Sequence, residues 1–181
     1  MLGWKNEEIV IGLVGRKNIR SREIIMIHLE NVTMDTLREF AALSVHDFQN
    51  KFVSASTISL GEAYIHNLGE VCKAQIKAIY NDNDMIGHAL IQYTPNGDES
   101  FYDFHRFMID KRYQGQGYGK KAFTVVMDYI KTMPFGEASK VILEYMPGND
   151  VASHIYHAYG FVDTDEYNKY GEVKTKLSLE I

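Results

Sequence analysis

The stretch from Arg106 to Lys121 reads RFMIDKRYQGQGYGKK, and the fold is decided there. Its first residues, Arg106 to Ile109, close an aromatic and apolar run that begins at Ser100, as a strand does. From Tyr118 onward, Ala122, Phe123, Val126, Tyr129, Ile130 and Met133 recur at helical steps until Pro134 stops the pattern. Between strand and helix stand Gly115, Gly117 and Gly119. Glycines remove the β-carbons that hold a ligand away from the backbone, and a helix N-terminus leaves N–H groups without partners. An anion held there gains ~0.3–1 kcal/mol from the helix dipole. Lys120 and Lys121 add charge. Two common phosphate loops are excluded. The dinucleotide fingerprint needs Gly-x-Gly-x-x-Gly and an acidic residue about 20 positions on, whereas this spacing is Gly-x-Gly-x-Gly without that acid. The P-loop needs a longer glycine spacing and a Ser or Thr after its lysine.

Outward from this segment, strands are expected at Met26 to Val32, Cys72 to Tyr80, Met85 to Tyr93, Ser100 to Ile109, Lys140 to Tyr145, Phe161 to Asp165 and Val173 to Leu179. Turn residues join several of them, at Asn81 to Asp84, Pro95 to Asp98 and Asn168 to Gly171. Helices are expected at Thr33 to Ser44, Ser59 to Leu68, Tyr118 to Met133 and Asp150 to Tyr159, the last stopped by Gly160. Residues 26–181 form one domain, and residues 1–25 read as an extension placed before it.

The 181 residues are 45% hydrophobic and 24% charged, with a net charge of −5. Such a chain buries a full core and shows none of the basic bias of a nucleic-acid binder. No apolar run approaches the roughly 20 residues of a membrane span, and Ile9 to Val14 follows Glu7 and Glu8, unlike a secretory signal. The single cysteine, Cys72, forms no internal disulfide, so a cytoplasmic location is expected. His154 and His157 lie three apart with no third ligand near them in sequence, and no metal is expected.

Gln114-Gly115-Gln116-Gly117-Tyr118-Gly119 matches the Gln/Arg-x-x-Gly-x-Gly/Ala signature of the GNAT N-acetyltransferase superfamily. Asn149-x-x-Ala152-x-x-x-Tyr156-x-x-x-Gly160-Phe161 matches that family's second pattern, in the right order after it. Within the family, the run from Arg106 is most similar to bacterial spermine/spermidine (polyamine) acetyltransferases. The resemblance covers Met26 to the C-terminus. It implies an α/β (α+β) domain in which a mixed, mostly antiparallel sheet of about seven strands splays between strands 4 and 5, flanked by about four helices. It implies acetyl-CoA as cosubstrate and a small-molecule amine as acceptor. Phe107, Met108 and Ile109 would contact the pantetheine arm, Asn149 its amide, and Gln114, Gly115, Gln116, Gly117, Tyr118, Gly119 and Lys120 the pyrophosphate. The N–H of Phe107 would face the thioester oxygen.

A primary alkylamine is neutral in only roughly a thousandth of molecules at pH 7, so attack needs a base, and a departing thiolate benefits from an acid. Tyr156 is the expected acid. Period-two alternation sets Asp103, His105, Phe107 and Ile109 on one face of the fourth strand, unless a bulge breaks the register. His105 is the candidate base, with Glu144 or a water chain as alternatives. Asp103, Glu144 and Glu62 are the carboxylates expected to receive a cationic substrate, although Phe52 to Thr57 contains no acid. Other acceptors, namely an aminoglycoside, a protein N-terminus or a lysine, stay open. A regulatory acetyl-CoA binder would keep the loop but have no use for Tyr156. A homodimer is compatible with all of these readings.

Overall fold

The computed structural model describes residues 26–69 and 71–179. The expected extension, residues 1–25, lies outside the described residues. The strands are β1 (Ile27–Asn31), β2 (Lys73–Asn81), β3 (Asp84–Thr94), β4 (Phe101–Ile109), β5 (Lys140–Tyr145), β6 (Val162–Tyr167) and β7 (Val173–Ser178). The helices are α1 (Leu37–Ala42), α2 (Ser56–Leu68), α3 (Tyr118–Lys131) and α4 (Asp150–Tyr159), with a 3-10 turn at Asp47–Gln49. One sheet runs in the order β1-β2-β3-β4-β5-β7-β6, with β4 and β5 parallel and the other neighbours antiparallel. The architecture is the expected one.

Two helix boundaries differ from expectation. The first helix starts at Leu37 because Thr33 and Thr36 bond each other's backbone N–H through their hydroxyls, at 3.3 and 2.9 Å, and so close a turn in place of a helical start. The second starts early, at Ser56, whose buried hydroxyl donates to the Leu43 carbonyl.

The sheet is buried on both faces, which explains why β3 is a nearly continuous apolar run. Phe123, Val126, Met127 and Ile130 of α3 cover one face, over Ile91, Tyr102, Phe104 and Val141. Phe40, Leu43 and Ala63 cover the other, over Ile76, Ala78, Leu90 and Met108. At Gly87 the two central strands approach so closely that a β-carbon would stand 2.2 Å from the Met108 carbonyl. Among the described residues no helix is long and apolar enough to cross a membrane.

The feature that positions the site is a break between β4 and β5. They pair only from Phe101 with Lys140 to Asp103 with Ile142. Beyond that point Leu143, Glu144 and Tyr145 stay with β7. On its other side β4 carries an extra residue, since Phe104 lies opposite Ile91 and Arg106 opposite Leu90, with His105 between them. A bulge increases local twist and turns a strand from its neighbour. The sheet therefore opens at His105.

Candidate active site

The glycine loop is held by its own side chains. Gln114 donates its side-chain amide to the Ile109 carbonyl at 2.8 Å, and Gln116 donates to the Arg112 carbonyl at 2.9 Å. Asp110, almost fully buried, accepts from the N–H groups of Ser44 and Arg112 and from Arg112 Nε. Burial raises its pKa, but these donors outweigh burial and hold it below the usual carboxylate value. Gly115 and Gly117 have φ values of 72° and 81°, the left-handed region that costs other residues about 1–2 kcal/mol. Gly117 caps α3, and a β-carbon there or at Gly115 would project into open space rather than into protein.

That space is a cleft of about 570 Å³ following the break between β4 and β5. Gly115, Gly117, Gly119 and Lys120 line one end, Phe107, Met108 and Ile109 one wall, and Asn149, Ala152 and Tyr156 the other. The loop thus fits a ligand with a long arm and an anionic group. Gln116 and Tyr118 lie outside the cleft lining, with Tyr118 edge-on to Tyr113 at 6.1 Å. Asn149 Oδ1 accepts from the Ala152 N–H at 3.4 Å, so this residue caps α4 while lining the cleft.

α4 carries Tyr156 inward, where its ring packs on Phe123 at 5.2 Å and edge-on to Tyr145 at 6.0 Å. Burial pushes the phenol pKa well above its usual 10, so it stays protonated through the neutral range.

A second cavity of about 390 Å³ adjoins the first, and the two share Phe52, Val53, His105, Arg106, Glu144, Met146 and Glu172. Asp103, Glu144 and Glu172 line it, as do Lys51 and Arg106. His105 Nδ1 stands 3.2 Å from Asp103 Oδ2, and its Nε2 stands 3.9 Å from Glu62 Oε2. Burial works to lower the His105 pKa, as does Arg106, but the hydrogen bond and charge of Asp103 with the charge of Glu62 leave it above 6.5.

The bulge corrects the expected register. Asp103 and His105 face α2, with His105 edge-on to His66 at 5.8 Å. Phe107 and Ile109 face α3, with Phe107 edge-on to Phe104 and Phe123. One added residue reverses every later side chain. Glu62 lines neither cavity, because both its oxygens accept from Arg106, at 2.8 and 3.1 Å. Glu172 was not expected, and neither were its neighbours Asn168 and Tyr170 in the turn before β7, where Asn168 donates to Glu144 at 2.7 Å. Nothing local in the sequence marks Glu172. Only the hairpin brings it to the cleft.

The sheet is thus parted between its parallel strands, with a glycine-rich loop at one end of the gap and a buried phenol beside its wall. The model of the Acetyltransferase (GNAT) family matches residues 40–161, and the chain belongs to that family: it is an acetyl-CoA-dependent N-acetyltransferase. A spermine/spermidine N(1)-acetyltransferase of Bacillus subtilis (strain 168) is 25% identical over 154 residues, covering 81% of this chain and 94% of the relative. Two solved structures share the fold. Spermidine N-acetyltransferase from Vibrio cholerae in complex with CoA and spermine aligns at a TM-score of 0.60 and 16% identity, over 84% of this chain and 95% of that one. The aminoglycoside acetyltransferase AAC(6')-Ib in complex with coenzyme A aligns at a TM-score of 0.65 and 15% identity, with the same coverage.

Proposed function

We propose that the enzyme acetylates a primary amine of a small polycation, with spermine and spermidine as the first candidates. The observation that carries this reading is the junction of the two cavities, where a carboxylate-lined pocket opens onto the long cleft at His105 and Glu144. The Bacillus subtilis relative supports it.

Acetyl-CoA supplies the acetyl group as a thioester. Backbone N–H groups from Gly115 to Gly119, with Lys120, hold its pyrophosphate at the start of α3. Phe107, Met108 and Ile109 offer the backbone groups that β5 leaves unpaired, and Asn149 faces them across the cleft. The Phe107 N–H stabilises the negative charge that grows on the thioester oxygen during attack. His105, oriented by Asp103, takes a proton from the amine, and the nitrogen forms its bond to the acetyl carbon. As the carbon–sulfur bond breaks, the electron pair leaves with sulfur, and Tyr156 gives it a proton. Glu144 and Glu172 receive the ammonium groups that do not react.

The test is thiol release with acetyl-CoA at moderate salt, comparing kcat/KM for spermine, spermidine, an aminoglycoside, free amino acids and a lysine peptide. Salt screens loose charge attraction, so that the pocket decides. Polyamines are expected to be turned over fastest. The substrate reading is wrong if neither polyamine exceeds the lysine peptide.

A further inference from the structure

Two sides of the site are tied together at one carboxylate. Asp110 is the first residue after β4, between the strand residues that wall the cleft and the glycine loop that ends it. Its side chain is almost fully buried, and its two oxygens serve two segments. Oδ1 accepts from the N–H and the Nε of Arg112, at 3.0 and 2.7 Å, on the approach to the glycine loop. Oδ2 accepts from the N–H of Ser44 at 2.9 Å, 66 positions away in the chain. The main chain doubles this tie, since the Lys111 N–H donates to the Ser44 carbonyl at 2.8 Å.

Ser44 begins the segment that joins α1 to α2, and that segment walls both cavities. Val45, Phe48 and Gln49 line the cleft, and Asn50, Lys51 and Ser54 line the second cavity. The turn in its middle is closed on itself, with the Gln49 N–H bonded to the His46 carbonyl and the Phe52 N–H to the Gln49 carbonyl. Its position against the sheet is therefore set at its ends: by Ser44 on Asp110, with Val45 buried beside it, and by the Ser56 hydroxyl on the Leu43 carbonyl. We infer that Asp110 is a positioning residue for acetyl transfer, which holds residues 44–55 in register with the glycine loop so that one carboxylate aligns the amine with the thioester. Its effect on the amine rests on the second cavity being the amine's site, as proposed above. The residue type matters. A carboxylate offers two acceptor oxygens, and donors from both segments fill them; an amide offers one, and turns its own N–H groups toward the side it does not serve. A buried N–H facing another loses its bond, and the two segments lose their register.

Steady-state thiol release tests this, with spermine varied at saturating acetyl-CoA and acetyl-CoA varied at saturating spermine; if another amine of the panel above is turned over faster, that amine is varied instead. Asp110→Asn is expected to lower kcat/KM for the amine by about tenfold or more, the scale of a hydrogen bond to a charged group, and to lower it for acetyl-CoA as well, because the displaced segment is a wall of the cleft. Ser44→Pro removes the donating N–H and leaves Asp110 with both Arg112 donors. Leu43, at φ −59° and ψ 134°, already has the extended backbone that a following proline requires. This variant is expected to lower the amine's kcat/KM too, and the double variant to be no worse than Asp110→Asn alone, because both act through one bond. Ser100→Ala loses the hydrogen bonds of a buried hydroxyl in the turn before β4, away from both cavities, and is expected to melt earlier with unchanged kinetics. Glu172→Gln reports separately on the second cavity. An Asp110→Asn enzyme within about threefold of wild type for the amine overturns the inference. If Glu172→Gln is then impaired, the acceptor reading stands and only the tie fails; if it is normal, the acceptor reading fails as well. Losses confined to acetyl-CoA, additive losses in the double variant, or equal losses in Ser100→Ala overturn the inference too. Should Asp110→Asn fail to fold, the amine's kcat/KM in Ser44→Pro decides alone.

Discussion

Tyr156→Phe separates the proposed chemistry from the packing. The ring lies against Phe123 at 5.2 Å, Tyr145 at 6.0 Å and Phe161 at 6.5 Å, and phenylalanine keeps all three contacts. Stability should therefore change by less than about 0.5 kcal/mol, the scale of a substitution that disturbs no buried network. Rate is another matter. A general acid contributes at least about 10²-fold, so its loss should add about 2.7 kcal/mol to the barrier. Because the hydroxyl acts on the departing sulfur, the loss should fall on kcat with little change in KM. Burial raises the phenol pKa, so wild-type activity should show no decline from Tyr156 ionisation as pH rises to its ordinary value near 10. The assay is steady-state thiol release from pH 6 to 10 (roughly the span over which His105 and an ordinary phenol titrate), with thermal melts of both proteins. A Tyr156→Phe enzyme whose kcat stays within about threefold of wild type would refute the acid role, since a positioned acid is worth far more.

Gly117→Val puts a β-branched side chain at φ 81° and into the cleft, so calorimetry should show coenzyme A binding weakened by about tenfold or more while circular dichroism shows a folded protein. Unchanged affinity would place the pyrophosphate elsewhere. Asp103→Asn should move the acid limb of kcat/KM to lower pH: His105 works as the neutral base, activity rises as pH passes its pKa, and Asp103 is the largest influence holding that pKa above 6.5 against burial. An unmoved limb would assign the base to another group. Gly87→Ala should destabilise the fold by about 3 kcal/mol, because its methyl meets the Met108 carbonyl at 2.2 Å and backbone cannot turn aside. A melt within about 1 kcal/mol of wild type would show that β3 and β4 can part at that point.

What the sequence by itself determined is local. The order and kind of the seven strands and four helices among the described residues follow from periodicity, turn residues and caps, since each is set by neighbours a few positions away. The glycine loop is legible for the same reason, since Gly117 must adopt positive φ to open α3, and Asn149 and Gly160 fix the ends of the next helix; Tyr156 on that helix is marked out only by the resemblance of its motif. Only the tertiary structure decided how the site is shared out. The extra residue at His105 leaves no mark in the pattern of β4, yet it sends Asp103 and His105 to one face of the sheet and Phe107 and Ile109 to the other. Glu62 reads from the sequence as a carboxylate for the substrate, but α2 sets it against Arg106, 44 positions along the chain. Glu172 reaches the second cavity through the β6–β7 hairpin. These partners are chosen by packing between distant segments, where burial and charge select the pairing and nearby sequence carries no record of it.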